Sequence, residues 1–359
     1  MISFYQYRLP FLAPFKTGAG DFSYREGIII HFQDGELDVV SEASPLPGFS
    51  KESLKSVKTA LLQNRSELDS FLTSRFSLEE LLQFLSGQDK APSIQFAISD
   101  LGRKILQIRG LHPKNHPLIQ YEKKTVLVND IVGFHDPEIT KDLITASLDR
   151  GFTTIKIKTP SPDPQLASVL REICAKREDI RFRLDANQNW DLAKIQSFNL
   201  TFKNLPIEYI EEPFAVNSDK EINAVLDVSE YPIALDESIT DLKCLTDFLK
   251  HSSNPYIIIK PMLLGNIFEI SETLLKHRSS YKRVIITSSL EASVGLETVS
   301  FLAASLGDNT CAHGLNTGKL FRDNLIADNE MENSFFKRTT YSGSLITKNH
   351  LDQSLLKLL

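Results

Sequence analysis

Six charged residues stand out because each ends, or lies within, a short apolar run. Asp185 closes RFRLD, Glu211 follows IEYI, Asp236 follows PIAL, Lys260 follows YIII, and Lys156 and Lys158 belong to TIKIK. Three carboxylates brought to one point repel strongly unless a cation lies between them. Oxygen donors with no His or Cys nearby in sequence favour Mg²⁺, or Mn²⁺, over zinc, the weaker alternative. Glu211 and Glu212 are adjacent, so on a strand they face opposite ways and one of them points inward. The spacing selects Glu211, and in the same way selects Asp236 over Glu237.

Lys156 and Lys158 lie two apart and so share a face of their strand. Each ammonium is expected to lower the pKa of the other, and an amine tuned in this way serves as a base near neutral pH. Lys260 is expected to reach in from the other side, which puts a metal between two lysines. A carboxylate substrate on that metal would have its α-carbon flanked by Lys158 and Lys260, and the metal would take up the charge of the enediolate formed on proton removal. Two other uses of the lysines stay open: salt bridges in a structural polar core, and a Schiff base at Lys158 or Lys260, in which the three acids have no purpose. His313 is placed either to touch substrate or simply to pack, and Trp190 is expected to pack.

The elements that must position these residues are legible as texture. From about residue 123 onward, β-branched runs alternate with helix-length segments: 125–132, 154–158, 181–187, 207–213, 232–238, 256–261, 283–289 and 310–315. With Lys158, Asp185, Glu211, Asp236, Lys260, Ser288 and His313 as markers, successive gaps are 27, 26, 25, 24, 28 and 25 residues. That period is one strand, one helix and two short loops. The spacing predicts an α/β fold, a (β/α)8-type, TIM-like barrel over 123–321 with its site at the C-terminal strand ends. Residues 1–122 read as a separate α+β domain. Its strand-like runs are SFYQYRL and GIIIHFQ, and Thr17–Gly27 between them reads as a mobile loop. Helical spacing follows from Ser50, from Ser77 with Glu80 placed for a capping box, and from Pro92 to about Leu106.

Composition narrows the partners. Lys plus Arg number 40 against 46 Asp plus Glu, a net charge of −6, so there is no basic stripe for nucleic acid or anionic membrane. Cys174, Cys244 and Cys311 form no C-x-x-C pair, which fits a reducing cytoplasm. The opening MISFYQYRLPFLAPF does not read as a secretory signal, and no apolar run reaches membrane-spanning length. A small-molecule carboxylate is the expected partner; the oligomeric state is not legible.

KIK at 156–158, LDANQNW at 184–190, IEEP at 210–213, LDES at 235–238 and IIKP at 258–261 together resemble the enolase superfamily, in its muconate lactonizing enzyme-like branch. SEASPLPGFS at 41–50, IKPMLLGN at 259–266, TSSLEASVGL at 287–296 and HGLNTGKLF at 313–321 are most similar to the o-succinylbenzoate synthase family of menaquinone biosynthesis. The resemblance implies a lyase in which Asp185, Glu211 and Asp236 bind Mg²⁺. It implies that Lys158 takes the α-proton of 2-succinyl-6-hydroxy-2,4-cyclohexadiene-1-carboxylate and then assists loss of the hydroxyl. Lys260 would stabilise the enediolate and Lys156 would support charge near the substrate carboxylate. Thr287, Ser288 and the backbone around Gly314 match the region that contacts the succinyl tail. It also implies a capping domain made of 1–122 and a returning segment 322–359, with residues 17–20 in a loop that closes over the site. The same lysines and metal run racemisation or epimerisation in N-acylamino acid racemases and dipeptide epimerases, and cycloisomerisation in muconate-type enzymes. A non-catalytic carboxylate-binding relative is the alternative of a different class, and the intact lysines and acids argue against it.

Overall fold

The computed structural model describes residues 1–17, 20–86, 91–111, 116, 118, 125–216, 218–251, 255–326, 338–340 and 346–359. Alternating apolar and polar residues build a long hairpin from β1 (Ile2–Thr17) and β2 (Gly20–Asp34), to which β3 (Leu37–Ala43) is added antiparallel. Thr17 pairs with Gly20, and 20–27 continue the ladder as far as Gly27 opposite Tyr7. The expected mobile loop is thus strand over 20–27, because the ladder extends those polar residues as the outer arm of the hairpin. Residues 18 and 19, also assigned to that loop, lie outside the described residues.

Four helices follow: α1 (Leu54–Gln63), α2 (Arg65–Thr73), α3 (Leu78–Ser86) and α4 (Pro92–Ile108). The helical run read from Ser50 begins at Leu54, with Ser53 accepting from the Ser56 N–H. At α3 the capping box is present: Ser77 N donates to Glu80 Oε2 at 2.7 Å, and Glu80 N donates to Ser77 Oγ at 3.2 Å. Apolar faces of these helices, among them Leu68, Leu72, Leu101 and Ile105, are buried with Phe4, Ile28, Ile30 and Val39 of the sheet.

The second unit is parallel. Strands β5 (Asp130–Val132), β6 (Thr154–Lys158), β7 (Arg181–Asp185), β8 (Ile207–Glu211), β9 (Ile233–Leu235), β10 (Tyr256–Ile259) and β11 (Arg283–Ile286) lie side by side in chain order. The helices between and after them are α5 (Pro137–Asp149), α6 (Pro164–Cys174), α7 (Leu192–Thr201), α8 (Asp219–Val228), α9 (Leu242–His251), α10 (Pro261–Leu264), α11 (Ile267–Lys276) and α12 (Ser293–Leu306). Asp136, Asp163 and Asp191 cap the N-termini of α5, α6 and α7, satisfying donors that a helix leaves open there.

Two expected strands take a different form. The run 125–132 divides into β4 (Thr125–Leu127), which pairs antiparallel with β12 (Arg338–Thr340), and β5. The run 310–315 forms single parallel bridges, Thr287 to Gly314 and Val128 to His313. His313 N donates to Leu127 O at 2.7 Å and Asn129 N donates to His313 O at 3.0 Å, while Gly314 N reaches Ile286 O at 3.0 Å. This short segment therefore joins β11 back to the start of the sheet and closes the barrel. Gly314 is required by packing there, since a Cβ would stand 2.7 Å from the Thr287 Cγ2.

The side-chain period of two sorts residues to two faces. Ile155, Ile157, Leu184, Ile210 and Ile257 belong to the large core shared with the helices, whereas Tyr209, Ala234, Tyr256, Ile258, Ile285 and Cys311 form a separate cluster inside the barrel. Lys156, Lys158, Arg183, Asp185 and Glu211 have the inward phase.

Strand β13 (Leu356–Leu358) returns to pair with β1. The first unit also grips the barrel through buried charge. Glu42 of β3 accepts from Tyr7 Oη (2.6 Å) and Ser44 Oγ (2.7 Å), and from Ala292 N (3.0 Å) and Gly295 N (2.8 Å) at the start of α12. It acts as the cap of a helix whose own N-cap, Ala292, offers no side-chain oxygen. Asp100 and Lys104 of α4 form a buried pair at 2.7 Å, and Thr298 Oγ1 of α12 donates to Asp100 at 3.0 Å.

Glu42→Ala strips four donors of their acceptor in a dry interface. We expect a loss of about 3 kcal/mol, measured as a lower denaturant midpoint; an unchanged midpoint removes Glu42 from this role.

Candidate active site

In-register pairing sets the site. Lys158 stands opposite Asp185, and Asp185 opposite Glu211, on three neighbouring strands. Asp236 and Lys260 follow the last residues of β9 and β10 directly. All six charged residues therefore lie at or near C-terminal strand ends, as expected. Asp185, Glu211 and Asp236 are 2%, 1% and 7% exposed, so their charge has little water to screen it.

Lysines hold the acids. Lys156 Nζ is 2.9 Å from Asp185 Oδ2 and 2.6 Å from Glu211 Oε1, and Lys260 Nζ donates to Asp236 Oδ2 at 2.6 Å. Lys158 Nζ donates to the neutral amide Oδ1 of Asn187 at 2.9 Å and stays 3.9 Å from Asp185. The expected mutual lowering of lysine pKa values is overturned for Lys156. Burial opposes its charge, but Asp185, Glu211 and Asp236 outweigh burial and hold the amine well above its ordinary range. Lys260 is raised likewise, with Asp236 and Glu237 outweighing burial.

Among the described residues no three of His, Cys, Asp and Glu are gathered as a ready metal cage. The expected meeting of the three carboxylates is replaced by contacts to Lys156 and Lys260, because each ammonium neutralises the oxygens nearest it. The donor set nevertheless suits a hard divalent cation. Burial pushes Glu211 well above the usual carboxylate range; Lys156 pulls it back, and Asp185 and Asp236 push it further up. Four carboxylates, Asp185, Glu211, Asp236 and Glu237, face the three ammoniums of Lys156, Lys158 and Lys260, and the donors of this cluster are all oxygens.

Glu212 and Glu237, set aside in favour of their neighbours, and Asn187 complete the rim. Glu212 is buried, pushed up to about 7 by burial, and accepts from Asp236 N at 2.7 Å and from Ser238 Oγ. It ties the end of β8 to the end of β9. Asn187 N donates to Asp185 Oδ1 at 3.0 Å, and Asn187 Nδ2 donates to Glu237 Oε1 at 2.9 Å. Asn187, Gln188, Glu212 and Leu290 adopt left-handed φ values of 43°, 62°, 38° and 64° just beyond strand ends. Such backbone strain gathers where geometry is over-determined by function.

The remaining expected residues are dispersed in role. Ser288 Oγ donates to Glu291 Oε2 at 2.5 Å and accepts from Thr317 Oγ1 at 2.8 Å, so it is already engaged. Thr287 Oγ1 is buried without a hydrogen-bond partner. His313 packs: its Nδ1 accepts from Ile286 N at 3.0 Å, and burial with the nearby Arg183 charge pushes it down to about 3. Trp190 also packs, donating to Thr159 O at 2.9 Å beside Phe198. The three cysteines are free, and no described helix is long and apolar enough to cross a membrane.

Residues 140–337 match the family described as enolase C-terminal domain-like, and residues 1–101 match the N-terminal domain of MenC. The o-succinylbenzoate synthase of Salmonella dublin is 27% identical over 324 residues, spanning 87% of this chain and 89% of that protein. A probable mandelate racemase from Alicyclobacillus acidocaldarius superposes with a TM-score of 0.81 at 15% identity, over 98% of this chain and 95% of that one. The o-succinylbenzoate synthase of Thermosynechococcus elongatus BP-1, solved with Mg in its active site, superposes with a TM-score of 0.68 at 22% identity, over 90% and 94%. With a family match over more than half of its length, a closed βα barrel and an antiparallel cap sheet, this chain belongs to the enolase superfamily.

Proposed function

We propose that the protein is an o-succinylbenzoate synthase, a hydro-lyase that converts 2-succinyl-6-hydroxy-2,4-cyclohexadiene-1-carboxylate to 2-succinylbenzoate and water in menaquinone biosynthesis. The observation that carries this reading is the match of residues 1–101 to the MenC N-terminal domain, alongside the superfamily barrel. The relatives named as this synthase, similar over most of the chain, support it. In this reading residues 1–122 and 322–359 form a cap over a barrel of residues 123–321.

Asp185, Glu211 and Asp236 would hold Mg²⁺, which when bound supplies positive charge against the substrate carboxylate and against the charge that develops on it. Lys158 is the lysine suited to take the α-proton. Its near partner is a neutral amide, and its side chain is 35% exposed, against 17% for Lys156 and 21% for Lys260. Once protonated it can return the proton to the departing hydroxyl, so the elimination balances as loss of one water. Lys260, directly after the fourth strand beyond β6, keeps its charge through Asp236 and would stabilise the enediolate electrostatically. Lys156 stays protonated between Asp185 and Glu211 and supports charge near the substrate carboxylate. Thr287, Ser288 and Gly314 are assigned to the succinyl end.

Conversion of the dienecarboxylate to 2-succinylbenzoate, followed by absorbance with racemisation of N-succinyl amino acids measured in parallel, tests the reading. We expect Mg²⁺-dependent aromatisation, abolished by chelation and restored by Mg²⁺; racemisation alone moves the protein to another branch of the superfamily. Lys158→Ala and Lys260→Ala should each lower kcat by about 10³-fold or more in protein that still unfolds cooperatively. Near-full activity in either variant removes the two-lysine mechanism. Asp236→Asn should raise the Mg²⁺ concentration needed for half-maximal rate by about tenfold or more; an unchanged requirement excludes Asp236 as a ligand.

A further inference from the structure

We propose that Glu237 is a positioning residue that sets Lys158 by way of Asn187; this rests on the functional reading above for Lys158. The geometry is a three-member chain. Lys158 Nζ donates to Asn187 Oδ1 at 2.9 Å, and Asn187 Nδ2 donates to Glu237 Oε1 at 2.9 Å.

An amide has one accepting end and one donating end, and which way it lies is decided by its neighbours. A carboxylate accepts only and an ammonium donates only, so Glu237 and Lys158 demand the same orientation of the Asn187 amide. With Glu237 in place, Oδ1 is held toward the lysine. With Glu237 replaced by an apolar group, the amide loses the partner that fixes Nδ2, only the lysine is left to orient it, and the side chain is free to swing Oδ1 away from Nζ. The backbone of Asn187 is pinned independently, by its N–H on Asp185 Oδ1 and by its left-handed φ of 43°, so side-chain orientation is the freedom left to control.

Glu237 is placed in a polar environment that stability alone does not call for. Its Oε2 is buried without a hydrogen-bond partner, and the charges around it are mixed, Asp236 and Asp185 alike and Lys260 opposite. Its Oε1 completes the chain to Lys158, which points to a role in geometry.

The test is a double-mutant cycle with Mg²⁺ binding read separately by calorimetry. Glu237→Leu should lower kcat by about 10- to 100-fold, the range expected for a misplaced catalytic group, with KM and Mg²⁺ affinity within about threefold of wild type. Glu237→Gln, which keeps one accepting oxygen, should recover most of that loss. Asn187→Gly tolerates the same backbone conformation, and adding Glu237→Leu to it should cost nothing more, because the path through the amide is already cut. Equal losses in both backgrounds, or a tenfold fall in Mg²⁺ affinity from Glu237→Leu, overturn the proposal, the second by making Glu237 a metal ligand. If Glu237→Leu does not fold, Glu237→Ala carries the same cycle, a loss in the Asn187 background and none in the Asn187→Gly background supporting it. If wild type does not turn over the dienecarboxylate, the functional reading fails, and a crystal structure of the Glu237 variant still decides the positioning. An Asn187 Oδ1 beyond about 3.5 Å from Lys158 Nζ supports it, and an intact bond overturns it.

Discussion

The ammonium group of Lys156 lies within 2.9 Å of Asp185 and 2.6 Å of Glu211, two buried carboxylates on two further strands. Much of the barrel's upper half depends on that arrangement. Strands β6, β7 and β8 must run parallel and in register for three charged groups to meet. Their other faces must be apolar so that helices can cover them, and Ile155, Ile157, Leu184 and Ile210 meet that requirement. A buried ion pair of this kind adds little net stability, because desolvation consumes most of the Coulomb gain. What it fixes is geometry: two carboxylates from β7 and β8 are held at one point by a scaffold that remains folded through apolar packing elsewhere.

The cap is bound to the same end of the barrel by charge in a dry interface. Glu42 caps α12, and Arg25 Nε donates to the carbonyl of Leu290 at 2.9 Å, inside the segment that carries Ser288. The cap thus holds the backbone of the segment that leads from Ser288 into α12. Lys51 adds a bond to Asp241 at 2.5 Å on the loop after β9. A change in the seating of the cap therefore reaches the loops after β9 and β11.

Most of the barrel was legible because its signals are periodic. A marker about every 25 residues and the β-branched texture of each run are local patterns, and they place five of the six charged residues at or directly after strand ends, with Lys156 in the middle of β6. What was not legible depends on partners far away in sequence. The segment 20–27 reads as a loop from its glycine and polar residues, yet backbone pairing with β1 makes it strand. TVLVNDIV reads as one strand, but its first half pairs with β12 and its second with β6. The pKa expectation failed for Lys156 because it weighed only the neighbouring lysine, whereas burial and three acids from other strands decide its charge, and the acids win. Glu237 was set aside on the alternation rule, which holds within a strand; β9 ends at Leu235, so the rule no longer governs where its side chain goes. Asn187 of LDANQN was the missed signal, since Asn is the non-glycine residue most at ease in the left-handed region that a tight strand exit needs.

Closure of the barrel at residues 312–314 bears on how the protein assembles. Each βα unit pairs with its immediate neighbour and can add in chain order, but the Val128 to His313 bridge joins positions 185 residues apart. Bringing such distant segments together has the largest loop-closure entropy cost in the sheet and is repaid by very few backbone bonds. The seam is accordingly a late event in folding and an early one in unfolding. Amide protons at Asn129 and His313 should therefore exchange with solvent sooner than those in the middle of β7, making this line of the barrel its natural site of opening.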